Sequence, residues 1–466
     1  MAAPKNSRCT DRPSAAATTP LNPLAATLSA FLTARLALDS HRSRLCVGLS
    51  GGRDSVVLLH ALSALVVSGQ LPMTLSAAHV HHGISPNAED WAAFCTDFCR
   101  EYAIPLRIVR VEVPRDSGEG LEGAARRLRH AAFADCDADW LALAHHRDDQ
   151  AETVLLNLLR GAGIAGAAGM LAERPQARGP SLIRPLLDVP RSVIDTYATE
   201  HAVRWIDDES NGDVHFRRNF LRRDVMPQLE EKFVGAQKSL ARAAGHFAEG
   251  AALLDELAAI DRSGMLTPAG RLDLARFNAL STARARNLLR HEWHAQGFRA
   301  PDARWIDEAL RQLAIATPMS ETCLATPDGE LHVYRGELHL VGILPKVSDT
   351  VMRWNGEAEL PWSGGRLRFV SVTGAGIRRD VFGSGELAVM TRRGGERLQP
   401  DARRPRRSLR KLFQDGAVPP WERERLPLLW CKEQLLWVGR LGVDAAFACA
   451  PDDEGLLPVW EIAVPN

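Results

Sequence analysis

The 466-residue sequence predicts an α/β protein in three parts: an N-terminal domain built on a parallel sheet, a helical middle domain and a small α+β C-terminal domain. Three observations predict it. Short apolar runs alternate with stretches of helical period from residue 23 to residue 159, the pattern of a parallel sheet with helical crossovers. From about Glu230 to Thr317 the chain turns Ala/Leu/Arg-rich and helical, without strand alternation. From Leu331, apolar segments separated by Gly turns return as strand signals.

Taken in order, residues 23–40 have the period of an amphipathic helix leading to a first strand, Leu45–Leu49. Ser50-Gly51-Gly52-Arg53-Asp54-Ser55 then makes a tight turn into a helix opening at Val56–Leu62. A second strand, Met73–Val80, ends in His79-Val80-His81-His82-Gly83. Asn87–Tyr102 places Trp91, Phe94, Phe98 and Tyr102 on one helical face. Leu106–Val113 reads as a third strand, Leu121–Asp135 as an Arg-rich helix, Trp140–Ala144 as a fourth strand and Asp148–Leu159 as a helix. Ligands of parallel sheets sit beyond the carboxyl ends of the strands, where the 50–55 turn, His79–Gly83 and His145-His146 all fall. Gly161–Gly166 is a loop that either closes over a ligand or merely connects, and Arg191–His201 is a further helix. All-helical stretches at Gly235–Ile260 and Ser281–Ala316 suggest a separate helical module, and strands follow at Leu331–Tyr334, Leu338–Leu344 and Leu367–Val372. The expected divisions are a disordered tail (1–22), a catalytic domain (23–230), a mainly helical middle domain (231–345), a linker or strand region (346–386) and a C-terminal domain (387–466).

The 50–55 turn carries the first chemical signal. Gly51 and Gly52 let backbone approach a ligand, the helix start offers unpaired N–H groups, and Ser50 and Ser55 add hydroxyls, which together suit phosphate. There is no GxxxxGK[ST], so no Lys reaches toward a γ-phosphate. Asp54 instead stands where anionic groups would lie, which argues for a bridging Mg²⁺; the alternative is that Asp54 caps the helix. In His145-His146-Arg147-Asp148-Asp149-Gln150-Ala151-Glu152-Thr153, the adjacent carboxylates suit a second Mg²⁺ contact or substrate orientation, or else simply stabilise a helix N-terminus.

Fifty-seven Lys and Arg balance 57 Asp and Glu, so global charge does not indicate nucleic acid. Basic residues nevertheless cluster. Arg217-Arg218-Asn219-Phe220-Leu221-Arg222-Arg223 is either a solvated helix face or a phosphate-backbone contact. Thr391–Arg425 holds eleven basic against five acidic residues, centred on Arg403-Arg404-Pro405-Arg406-Arg407. The eight Cys form no CxxC and no zinc-type spacing with His, and free thiols fit a reducing cytoplasm. No apolar stretch reaches the ~18 residues of a membrane span.

Together these motifs resemble the tRNA(Ile)-lysidine synthase family of the PP-loop ATP pyrophosphatases, whose catalytic domain is adenine nucleotide alpha-hydrolase-like. The resemblance rests on SGGRDS at 50–55, HVHHG at 79–83, Glu122 with Ala125-Arg126 and Arg129, HHRDDQAET at 145–153, RGAG at 160–163, RPLL at 184–187, WIDDESN at 205–211 and RRNFLRR at 217–223. RRGGERL at 392–398 and the run from Lys411 to Leu429 resemble the family's C-terminal domain. His130 departs from the Tyr the family often has there, and Arg53 occupies a variable loop position.

The resemblance implies a cytoplasmic enzyme that uses ATP and Mg²⁺ to attach L-lysine to the wobble cytidine of the CAU anticodon of tRNA(Ile), changing decoding from AUG to AUA. It implies that Ser50, Gly51, Gly52, Arg53, Asp54 and Ser55 hold ATP, and that Asp54 and Asp149 orient Mg²⁺. Asp148 and Asp149 would complete the metal or hold the lysine ammonium, and Arg126 with Arg129 would contact phosphate or the adenylated base. Arg218, Arg222, Arg403, Arg404, Arg406, Arg407 and Lys411 would grip tRNA backbone. No pattern decides the oligomeric state, so a homodimer stays open. A PP-loop cytidine thiolase is disfavoured by the missing CxxC, a small-metabolite amidating synthetase by the basic clusters, and a catalytically silent tRNA-binding protein by the intact SGGRDS and DDQ.

Overall fold

The computed structural model describes residues 22–35, 43–114, 120–176, 178–207, 217–320, 322–343, 351–383 and 386–462. The expected tail, and Asp208 to Asn211 of the WIDDESN motif, lie outside the described residues except for Asn22. Two compact units divide at Leu254/Asp255.

In the first unit α1 (Pro23–Arg35), β1 (Ser43–Gly48), α2 (Arg53–Val67), β2 (Met73–His81), α3 (Ala88–Glu101), β3 (Leu106–Arg110), α4 (Gly120–Ala134), β4 (Trp140–Ala142) and α5 (Arg147–Leu159) follow the alternation read from sequence. After α5 come α6 (Ile164–Ala167), β5 (Glu173–Arg174), β6 (Ser181–Ile183) and α7 (Arg191–Glu200). The sheet runs β3-β2-β1-β4-β6-β5, parallel except for the edge strand β5. The chain leaves β1 toward β2 and β3, then returns to β1's other side with β4. Loops after β1 and β4 therefore diverge and open a crevice at the carboxyl edge. Val56, Val57, Leu58, Leu59, Ala61, Leu62 and Leu65 of α2 are buried, because this helix packs on the sheet and also against α1 and α7. The unit continues through α8 (Arg217–Phe220), a π turn (Leu221–Val225), α9 (Met226–Lys232) and the start of α10 (Ala236–Ser263), which runs on past the division.

The second unit holds β7 (Leu272–Asp273), α11 (Leu274–Asn278), α12 (Thr282–Ala295), α13 (Ala303–Ile315), β8 (Cys323–Ala325), β9 (Gly329–Tyr334) and β10 (Glu337–Gly342). Ser281 and Asp302 cap α12 and α13 by accepting from the backbone N–H groups of Arg284 and Trp305. The helical middle thus carries a four-stranded antiparallel sheet, β7-β10-β9-β8, over a core containing Trp293, Leu288 and Leu331. Only β9 and β10 are legible as strands; β7 and β8 are two and three residues long and borrow their ladders from those neighbours.

Next come β11 (Val351–Trp354), β12 (Glu359–Trp362), β13 (Gly365–Thr373), β14 (Ile377–Arg378), α14 (Arg379–Phe382) and β15 (Leu387–Met390). After them lie β16 (Arg397–Leu398), β17 (Arg407–Ser408), α15 (Leu409–Asp415), α16 (Pro420–Arg423), β18 (Leu428–Cys431), β19 (Gln434–Val438), β20 (Gly442–Val443) and β21 (Glu454–Ile462). The main sheets, β11-β15-β18-β19-β20 and β12-β13-β21-β14, share a core of Trp362, Leu367, Val389, Leu429 and Trp437. The region read as linker or strand supplies β11 to β14. β11 pairs with β15, and β13 pairs with β21 along its whole length, so these strands are woven into the C-terminal sheets.

Candidate functional site

The site lies in the crevice between the β1 and β4 loops. Gly51 takes φ +88°, where an L side chain is strained, and an added Cβ would come within 3.3 Å of Ile206 Cδ1. The Ile206 N–H donates to the Gly51 carbonyl at 2.9 Å, so the segment after α7 clamps the turn. The Ser50 and Ser55 hydroxyls lie 3.0 Å apart, and Ser55 Oγ donates to the Gly52 carbonyl at 2.9 Å. Gly52 is the N-cap of α2 and no side chain caps that end, which leaves its N–H groups facing the crevice. Asp54 does not act as the cap. Its Oδ1 is buried without a hydrogen-bond partner among the described residues, and its Oδ2 lies 3.7 Å from His146 Nε2. Arg53 turns aside to pair with Asp195 at 2.9 Å and to lie over Trp205.

The β4 loop faces this turn. His146, at the N-cap of α5, is buried; its N–H donates to Asp149 Oδ2 at 3.1 Å and its Nε2 lies 3.5 Å from the same oxygen. Burial opposes charge on His146, but the carboxylates of Asp54, Asp149 and Asp148 outweigh it and raise the pKa above the ordinary value. Asp54, His146 and Asp149 thus form a row that joins the two loops. Asp149 is itself held below the usual carboxylate range: its burial opposes this, but His146, Arg218, His145 and Arg222 prevail.

Arg218 and Arg222, expected on tRNA backbone, are placed differently. Arg218 donates to Glu152 Oε2 at 3.0 Å and Asp149 Oδ1 at 3.1 Å; Arg222 donates to Glu152 Oε1 at 2.6 Å, Glu152 Oε2 at 2.9 Å and Asp149 Oδ1 at 2.8 Å. Four residues apart across the π turn, they share the helical face that packs on α5. Asp149 is therefore saturated by protein donors, whereas Asp54 Oδ1 is not. A hard dication needs carboxylate oxygens free to coordinate, so Asp54 fits Mg²⁺ as it stands and Asp149 fits only after the guanidiniums withdraw. Asp148 points elsewhere, accepting from the Arg191 N–H at the start of α7 at 3.4 Å. Gln150 holds the loop after α6, donating to the Met170 carbonyl at 2.9 Å and accepting from the Met170 N–H at 2.8 Å.

A second feature was not legible in full. Arg126, Arg129, Arg174 and Arg184 lie close enough together to act on the same groups. His130, lowered to about 4, feels burial first and then Arg126, Arg129, Arg174 and Arg184; His145, lowered to about 3, feels burial first and then Asp149 in opposition, with Arg184, Arg218 and Arg129 lowering it. Burial, Arg126 and Arg174 bring Arg184 down to about 10. Neutral imidazoles among guanidiniums suit an anionic ligand. Arg126 belongs to this group; Arg174 and Arg184 join it only through folding, from β5 and from the residue after β6. The side chain of Glu122 lies outside the described residues. His79, buried, bonds the Leu49 carbonyl through Nδ1 at 2.9 Å and braces the strand end leading into the turn.

In the second unit, two of the residues expected on tRNA already have acidic partners: Arg406 bonds the fully buried Asp444 at 2.8 Å, and Arg407 pairs at the surface with Asp415. Arg403 and Lys411 are exposed without an ion pair among the described residues, and Arg404 makes a 3.6 Å pair with Asp401. Among the described residues no helix is long and apolar enough to cross a membrane.

Family models match in three places: the PP-loop domain at residues 24–229, the TilS substrate binding domain at 272–339 and the TilS substrate C-terminal domain at 387–460. A tRNA(Ile)-lysidine synthase of Azoarcus sp. (strain BH72) is 42% identical over 432 residues, covering 91% of this chain and 93% of its own. One from Nitrosomonas europaea is 42% identical over 423 residues, covering 90% of this chain and 92% of its own. With that identity along nearly the whole length, and with the phosphate turn and the acidic loop meeting at the sheet edge, the chain belongs to the tRNA(Ile)-lysidine synthase family.

Proposed function

We propose that this chain ligates lysine to C2 of the wobble cytidine in the CAU anticodon of tRNA(Ile), in the cytoplasm and at the expense of ATP. The cytidine C2 oxygen attacks the α-phosphorus and pyrophosphate leaves. The lysine ε-amine then attacks C2: a C–N bond forms, the C2–O bond breaks, AMP departs with the oxygen and the amine loses a proton. Adenylation is needed because a carbonyl-type oxygen is a poor leaving group until it leaves as AMP. The observation that carries this reading is the row Asp54, His146, Asp149, which sets an acidic loop against a phosphate turn lacking a Lys.

In this reading the N–H groups at the α2 start and the Ser50 and Ser55 hydroxyls hold the phosphates, with Gly51 and Gly52 allowing close approach. Asp54, joined by Asp149 once it is released, would hold Mg²⁺, which when bound offsets phosphate charge. Lysine brings its own cation, and Asp149 and Glu152 already hold cations in the guanidiniums of Arg218 and Arg222. The ammonium takes that place at Glu152 while Asp149 turns to the metal, and the displaced guanidiniums become free for the phosphates of ATP or tRNA. Arg126 and its cationic neighbours face the phosphates or the adenylated base. Arg403, Arg404 and Lys411 supply tRNA contacts from the second unit.

The test is to incubate the protein with ATP, labelled lysine and tRNA transcripts carrying a CAU anticodon. Label in tRNA(Ile) alone, with lysine-dependent AMP release, is expected. AMP release that needs no tRNA, or label in no transcript, would overturn the reading.

A further inference from the structure

A cluster far along the chain from the 50–55 turn and the α5 loop has donor chemistry that the ligation does not use. On the β8–β9 hairpin Cys323 and His332 are direct cross-strand partners, and Glu330, two residues before His332, shares their face of the sheet. Their ligand atoms, one each, lie within 4.8 Å of one another. Cys323 Sγ is 3.9 Å from His332 Nε2, and Glu330 Oε2 is 2.9 Å from the same nitrogen.

That shared nitrogen decides between two chemistries. A nucleophilic Cys–His–acid relay needs the thiol on one imidazole nitrogen and the carboxylate on the other. Here both face Nε2, so the three atoms converge on one point, as ligands do. A tetrahedral zinc ion with ordinary bond lengths needs S···N of about 3.6 Å and N···O of about 3.4 Å, so from 3.9 and 2.9 Å the thiol would close in slightly and the carboxylate would draw back by about half an ångström. The mixed S/N/O set favours a borderline-soft dication over Mg²⁺ or Ca²⁺, which take oxygen ligands. Thiolate and carboxylate together neutralise a dication. The imidazole is buried and stacked on Trp421 at 4.1 Å between ring centres, which holds its orientation, whereas Cys323 is exposed and leaves an entry path and a fourth position toward solvent.

We propose that Cys323, Glu330 and His332 form a binding site for a zinc-type divalent cation that clamps β8 to β9 and holds His332 against Trp421. The purified full-length protein is titrated with Co²⁺ as the spectroscopic stand-in for Zn²⁺, and absorption is recorded. The expected result is one equivalent bound with a thiolate-to-cobalt charge-transfer band that Zn²⁺ bleaches. Cys323→Ser should abolish the band, Cys449→Ser should leave it intact, and His332→Gln or Glu330→Gln should weaken binding roughly tenfold or more. Because a variant can fail by misfolding, alkylation of wild-type Cys323 is measured in parallel, and Zn²⁺ should slow it at least tenfold. No charge-transfer band in the wild type, a band of full strength in Cys323→Ser, or alkylation indifferent to Zn²⁺ would overturn the site.

Discussion

Arg222 separates two accounts of the basic run at 217–223. As a tRNA contact, its replacement would leave the free protein unchanged and weaken tRNA binding uniformly, lowering the salt slope by about one. In the structure, Arg222→Met removes three charge-assisted hydrogen bonds, at 2.6, 2.8 and 2.9 Å, from two carboxylates whose side chains are 3% (Glu152) and 11% (Asp149) exposed. Removing one partner of a fully buried pair costs about 3–5 kcal/mol. Arg222 is itself 29% exposed and Arg218 still donates to both acids, so screening and redundancy reduce the cost to about 2 kcal/mol. That is roughly a thirtyfold fall in the ratio of folded to unfolded protein. Urea denaturation followed by circular dichroism reads it, and a double-mutant cycle with Glu152→Gln should show coupling of about 1–2 kcal/mol. A stability change within about 0.5 kcal/mol, or strict additivity in the cycle, would refute the structural reading and return Arg222 to the phosphate backbone.

Asp54→Asn should keep the fold, since Oδ1 has no partner among the described residues and only the Oδ2 pairing with His146 is weakened, yet reduce lysine incorporation at least a hundredfold; wild-type turnover would remove Asp54 from the site. The same variant should lower the pKa of His146, read from its imidazole resonance and assigned with His146→Gln. Because that pKa is raised on folding, His146 stabilises the protein below its unfolded value of about 6.5 and the contribution is lost as pH rises through the folded value; Asp54→Asn should shrink this acid-side stability. Gly51→Ala should lose about 1–2 kcal/mol of stability to its left-handed backbone and weaken ATP binding through its contact with Ile206, measured by thermal melts with and without ATP. Neutralising Arg403, Arg404 and Lys411 together should flatten the salt dependence of tRNA binding by about 0.9 per lost contact, whereas Arg406→Gln should chiefly cost stability through buried Asp444; the reverse pattern would exchange their roles.

Strands β1 to β4 were legible because short apolar runs there alternate with stretches of helical period, whereas β5 and β6 of the same sheet, two and three residues long, went unread. So did β7 and β8, since a strand of two or three residues has no period to read. At the site, residue type and position revealed the phosphate turn and the acidic loop, but not which oxygens are free. Asp148 and Asp149 are neighbours in the chain with equal claims on paper; one faces the start of α7 and the other the crevice, because successive helical residues point about 100° apart.

From the sequence alone follow the α/β class, the place of the phosphate turn at a sheet edge and the ATP-pyrophosphatase character of SGGRDS. These depend on local patterns that any folded state must respect. Only the tertiary structure decided that Arg218 and Arg222 close on Asp149 and Glu152, that Arg406 serves a buried carboxylate and that Cys323 meets Glu330 and His332. Charged side chains choose partners by distance and desolvation in three dimensions, and neither is written in the spacing of residues along a chain.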